Sequence, residues 1–108
     1  MANYLLIASR DPFEHRAVEG FYELAGALAG AGHKVTVFLV QNGVFPARSG
    51  VKPDRLAGMV RSGVEVLADD FSLRERAISK ASLAAGVEAA PIGTVIDRLA
   101  QGDKALWH

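Results

Sequence analysis

Tyr4-Leu5-Leu6-Ile7-Ala8 and Lys34-Val35-Thr36-Val37-Phe38-Leu39-Val40 are two apolar segments that frame the first third of the chain. The first is an unbroken apolar run, too short for a helix, which marks a strand covered on both faces in a parallel sheet. The second is rich in β-branched residues and reads as a strand as well. Between them, Asp11-Pro12-Phe13-Glu14 carries three helix-start signals. Asp11 is a good N-cap, Pro12 suits the first helical position, and Glu14 completes a capping box. Phe13, Ala17, Phe21, Leu24 and Leu28 then recur at helical spacing, predicting one buried stripe. Gly30-Ala31-Gly32 stops that helix, since glycine takes the left-handed C-terminal geometry cheaply. Strand, helix and strand in this order make a βαβ unit with a right-handed crossover.

Outward from this unit, Gln41-Asn42-Gly43 reads as a plain turn and Val44 to Val51 as a loop. Pro53 to Arg61 reads as a short helix with Leu56, Met59 and Val60 inward, ended by Gly63. Val64-Glu65-Val66-Leu67-Ala68 is a third strand, and Asp69 or Asp70 caps a short helix from Phe71 to Ser79. That helix shows Arg74, Glu75, Arg76 and Lys80 on its exposed side. Gly86 interrupts an alanine-rich stretch, Pro91 to Gln101 is a last helix burying Ile92, Val95, Ile96 and Leu99, and Ala105-Leu106-Trp107 is a final strand. The expected architecture is one α/β domain over residues 1–108. Its doubly wound sheet has four parallel strands in the order 2-1-3-4, with helices on both faces. Ligands in such sheets bind beyond the carboxyl ends of the strands, where the winding direction reverses. The expected order places that reversal between the first and third strands. Its rim would hold Ser9, Arg10 and Asp11, then Gln41 and Asn42, then Ala68, Asp69 and Asp70.

Composition narrows the function. Twelve basic side chains balance twelve acidic ones, which leaves no footprint for nucleic acid and no polybasic membrane anchor. No apolar run reaches spanning length, and Met1-Ala2-Asn3 lacks a basic leader, so a cytoplasmic protein is expected. The chain has no cysteine, which excludes disulfides, thiolate metal sites and any cysteine nucleophile or sulfur carrier. No metal and no cofactor are expected either. His15, His33 and His108 stand apart, no phosphate-binding glycine motif is present, and no serine sits in a nucleophile elbow. His15 remains a candidate acid or base, although a helix start disfavours its protonated form. The candidate ligand-binding set is therefore Ser9, Arg10, Asp11, His15, Gln41, Asn42, Ala68 and Asp69, with no catalytic residue assigned. Trp107 and Val44-Phe45-Pro46 exceed what one thin sheet can bury, which predicts a homo-oligomer.

Val37-Phe38-Leu39-Val40-Gln41-Asn42-Gly43-Val44 resembles the DsrE/DsrF/DsrH-like family of sulfur-relay proteins, in which an apolar strand runs into a Gln-Asp/Asn-Gly-Val turn. The similarity extends through Ser72-Leu73-Arg74-Glu75-Arg76-Ala77-Ile78 to the final helix and Trp107. It implies a flavodoxin-like three-layer subunit that assembles into trimers or hexamers, with a possible protein partner. It also implies a persulfide carried on one cysteine just after the third strand, at or near Ala68. That position is alanine here, and a thiolate is needed to accept and hand on sulfane sulfur. The expected function is thus an oligomeric, non-catalytic structural or binding subunit. The alternative is a small-molecule or nucleotide-binding protein using Arg10, His15 and Asp69 around the pocket.

Overall fold

The opening unit forms as its residues dictate, in a computed structural model that describes residues 1–108. Strand β1 (Asn3–Ala8) lies parallel to β2 (Lys34–Leu39), in register from Asn3 opposite Lys34 to Ala8 opposite Leu39. Helix α1 (Ala17–Gly30) joins them but starts later than the capping signals predict. The Asp11 carboxylate accepts from the Phe13 N–H, and its carbonyl accepts from the N–H groups of Glu14 and His15, closing a separate turn. Aspartate closes such local turns on its own backbone as readily as it caps helices. The buried stripe is Val18, Phe21, Tyr22 and Ala25, and not the register through Phe13 and Leu24, which stay exposed. Phe13 instead lies under the Arg55 guanidinium, 4.7 Å from it.

A 3-10 helix (Gln41–Ala47) follows β2 where a turn and loop were expected. Helix α2 (Ala57–Arg61) begins four residues beyond Pro53, because Asp54 accepts from the N–H groups of Leu56 and Ala57 and so delays its start. Strand β3 (Glu65–Asp69), helix α3 (Asp70–Glu75), strand β4 (Val87–Ala90), helix α4 (Gly93–Ala100) and strand β5 (Lys104–Trp107) complete the chain.

All five strands are parallel, in the order β4-β3-β2-β1-β5. The α/β class holds, but the expected four strands in the order 2-1-3-4 do not. The extra strand, Val87-Glu88-Ala89-Ala90, has weak β propensity, and it forms by pairing along the edge of β3 from Val66 opposite Val87. The third strand adds beside β2 and not beside β1. Crossovers on one face carry the chain stepwise outward from β1 to β4. Only the connection through α4 returns, over the opposite face, to pair β5 with the free edge of β1. The winding therefore reverses between β1 and β5, and not between the first and third strands.

This topology makes two unequal cores. On one face α1, α2 and α3 pack Val18, Phe21, Leu56, Met59 and Leu73 against Leu6, Val37, Val66 and their neighbours. On the other, α4 alone covers Leu5, Ile7, Phe38, Val40 and Leu67 with Val95. A helix of eight residues, about 12 Å long, cannot roof five strands. Ile92, Ile96 and Leu99, expected inside, are exposed, Ile96 at 65 %.

Helix α4 is pinned by charge. Arg98 donates to the buried Thr36 hydroxyl and, at 2.8 Å, to Glu65, while Thr36 donates to the same Glu65 oxygen. Burial pushes the Glu65 carboxyl upward, but the bonds from Arg98 and Thr36 and the charges of Arg98 and Lys34 outweigh it and hold the group low. Ionised Glu65 therefore favours the fold above pH 4.5, the value of an unconstrained glutamate, and this contribution fades as pH falls through the lowered folded value. Glu65 is half exposed, so solvent limits the effect to about 0.5 kcal/mol. Urea unfolding on either side of pH 4.5 checks this: Glu65→Gln should show a shallower acid loss than the parent.

Candidate functional site

Alternation along β3 sends successive side chains to opposite faces of the sheet. Ala68 enters the larger core and is sealed, whereas Asp69 emerges at the carboxyl edge on the α4 side. Asp69 caps α3: its Oδ2 accepts from the Ser72 N–H at 3.0 Å and from the Ser72 hydroxyl at 2.7 Å. The Ser72 Oγ in turn accepts from the Gln41 N–H at 2.8 Å. This last bond helps to hold Gln41 at φ 53°, a left-handed conformation uncommon for a side chain of its kind. The other oxygen of Asp69, Oδ1, is buried and has no partner.

Arg76 ties the same two segments together from outside. Its Nε and one terminal nitrogen donate to Asn42 Oδ1 at 3.1 and 2.9 Å, and the other terminal nitrogen donates to the Ser72 carbonyl at 3.2 Å. The guanidinium also lies over the Phe45 ring. Across the opening stands Trp107 at the end of β5. Its indole N–H donates to Ser9 Oγ at 3.3 Å, and the Ser9 hydroxyl donates to the carbonyl of His108. These elements enclose a cavity of about 730 Å³ whose wall includes Val40, Phe45, Phe71, Glu75 and Ile92.

Of the residues singled out from sequence, Gln41, Asn42 and Asp69 line this cavity, and Ser9 joins it through Trp107. Ala68 lies beneath it in the core. Arg10, Asp11 and His15 do not line it; they sit in the β1–α1 connection, and burial, with the Asp11 charge added to it, raises the Tyr22 hydroxyl well above its ordinary range. The sequence reading missed Ser72 and Arg76, and it put Arg76 on a solvated face. The available signal was the spacing: Ser72 stands three residues after the cap, and Arg76 one helical turn beyond that. A second cavity of about 540 Å³ lies between α1 and α2, beside the unpartnered Tyr22 hydroxyl.

No helix is long and apolar enough to cross a membrane. The edge cavity is lined by Asp69, whose buried Oδ1 has no partner, by an arginine held by neutral acceptors and by apolar side chains, with no thiol.

A family model described as the DsrE/DsrF-like family matches residues 2–107. No curated protein matches the sequence. Among solved structures, the chain is similar to the ychN protein from E. coli, with a TM-score of 0.90 at 22% identity over all of both chains. It is also similar to MTH1491 from Methanobacterium thermoautotrophicum, a protein of unknown function, with a TM-score of 0.85 at 15% identity over all of both chains. BT1422 from Bacteroides thetaiotaomicron, likewise of unknown function, has a TM-score of 0.73 at 16% identity over 97% of this chain and 94% of its own. At these identities the likeness is one of fold.

Proposed function

Because this chain belongs to the DsrE/DsrF-like family and contains no cysteine, we propose that it is an oligomeric, non-catalytic member, related to sulfur-relay subunits, that binds where its relatives transfer. The observation that carries this reading is the side chain at the end of β3. The family resemblance expects a persulfide-bearing cysteine at or near Ala68. Ala68 is sealed, so the position that faces the cavity is Asp69. A carboxylate cannot hold sulfane sulfur, so the scaffold persists here without the transfer step.

Self-assembly is supported by the face that α4 leaves uncovered. Phe71, Ile92, Ile96, Leu99 and Trp107 are all exposed, more large apolar side chains than a monomer normally shows to water on one side. A second copy of the chain offers the same apolar face and closes the thin core. The family resemblance makes the working form a trimer or hexamer in the cytoplasm, able to dock a partner protein, with this apolar face buried between neighbouring copies. Native mass spectrometry tests this: the parent should appear as a trimer or hexamer. Ile96→Asp combined with Leu99→Asp should yield monomer with an unchanged far-ultraviolet spectrum. A parent chain that runs as a monomer overturns the reading. The edge cavity favours a second, compatible reading, in which the assembled subunit holds a small molecule at the strand ends.

A further inference from the structure

We propose that the cavity at the carboxyl edge binds an organic ammonium or amidinium ion with a ring-sized apolar body, its cationic N–H donating to Asp69 Oδ1. The inference takes from the preceding reading only that this site binds instead of transferring sulfur.

Three independent features converge on that chemistry. The first is Asp69 itself, only 5 % exposed, whose Oδ2 receives two hydrogen bonds while Oδ1 receives none. Buried polar atoms are almost always paired, so an orphaned carboxylate oxygen in a cavity wall asks for a donor. The second is charge. Asp69 and Glu75 place two carboxylates in the wall against the single guanidinium of Arg76, whose donors already serve Asn42 and the Ser72 carbonyl. That balance favours a cation and opposes a phosphate or carboxylate.

The third feature is the wall. Phe45, Phe71, Ile92 and Trp107 supply aromatic and aliphatic surface that buries an apolar body; Arg48 and Arg76 already lie over Phe45 and Arg74 over Phe71, so the Trp107 ring is the face that attracts the cation. A bare divalent ion is ill suited, since calcium or magnesium requires six or more oxygen ligands and two carboxylates set among aromatic and aliphatic side chains fall short of that. Oδ1 has almost no solvent exposure, so a ligand's donor reaches it as a rim side chain gives way. Phe71 and Trp107, 57 % and 71 % exposed, stand in the same wall as Asp69.

Asparagine ranks with aspartate as an N-cap, so Asp69→Asn keeps the bonds to Ser72. It converts the free acceptor into an N–H₂ donor and removes the charge. Isothermal titration of the full-length chain with benzylamine and with benzoate reads the site with one ring and two opposite charges. Benzylamine should bind the parent chain and benzoate should not, and Asp69→Asn should weaken benzylamine at least tenfold. Failure of benzylamine to bind, benzoate binding as tightly, or a well-folded Asp69→Asn chain within twofold of the parent each overturns the proposal. The benzylamine–benzoate comparison stands without any variant, should Asp69→Asn fold poorly. Native mass spectra of the same samples separate the two claims. An oligomer that ignores benzylamine defeats the ligand assignment alone, and a monomer that binds it defeats the assembly alone.

Discussion

Phe38→Ala is expected to remove about 3–5 kcal/mol of folding stability, a large share of what a domain of this size possesses. Phe38 is fully buried on the face of β2 that only α4 covers, between Leu5, Ile7, Val40, Leu67 and Val95. Truncation forfeits the transfer free energy of a whole ring and leaves a cavity beneath a helix that buries a single residue of its own. Pinned by Arg98 to Thr36 and Glu65, α4 cannot settle inward to fill the gap. The urea midpoint should fall steeply with an unchanged m value, and the loss should exceed that of Val95→Ala. A cost below about 1 kcal/mol would show that the α4 face is not packed as described.

Gly43→Ala is expected to destabilise the fold by about 3 kcal/mol, at the upper end for overpacking by one methyl group. Glycine is needed here for close approach and not for a left-handed backbone. A Cβ at this position would overlap the carbonyl of Ala8, at the end of β1. That carbonyl accepts from the Val40 N–H at 2.9 Å, and Gly43 donates its own N–H to Val40, so no atom can retreat without breaking the ladder. The displaced segment also carries Gln41 and Asn42, so the edge cavity should open as stability falls. Thermal unfolding read by circular dichroism checks the first effect, with a fall of about 10–20 °C expected. A Gly43→Ala chain melting within a degree or two of the parent would refute the close approach.

Much of the fold is legible locally. The runs at Tyr4–Ala8 and Lys34–Leu39 are strands because apolar and β-branched residues leave little alternative between two covering layers. Asp69 caps α3 as its position beside a strand end foretells. Other elements carry no local mark. Val87–Ala90 is a strand because β3 offers it an unpaired edge, and no count of propensities in Val-Glu-Ala-Ala would find it. Local cues at Asp11 pointed to a helix start, yet α1 begins at Ala17, where Val18, Phe21 and Tyr22 meet the sheet. Here packing outweighed a cap that a simple turn also satisfies. The candidate site divides in the same way. Gln41, Asn42 and Asp69 followed from their places at strand ends, while Arg76 joined them through a long-range bond to Asn42 that helical spacing alone does not specify.

By itself the sequence determined the α/β class, the first parallel unit and the absence of any thiol, because these depend on residue type and short-range spacing. The strand order, the reversal between β1 and β5, and the half-roofed sheet that leaves α4 apolar side chains in water arise from long-range packing. The same packing leaves Asp69, and not Ala68, facing the cavity with one oxygen unanswered. The reason is physical. Strand pairing and the fate of a buried acceptor are settled between segments far apart in the chain, and each is fixed by which edge, face or donor the rest of the fold leaves free.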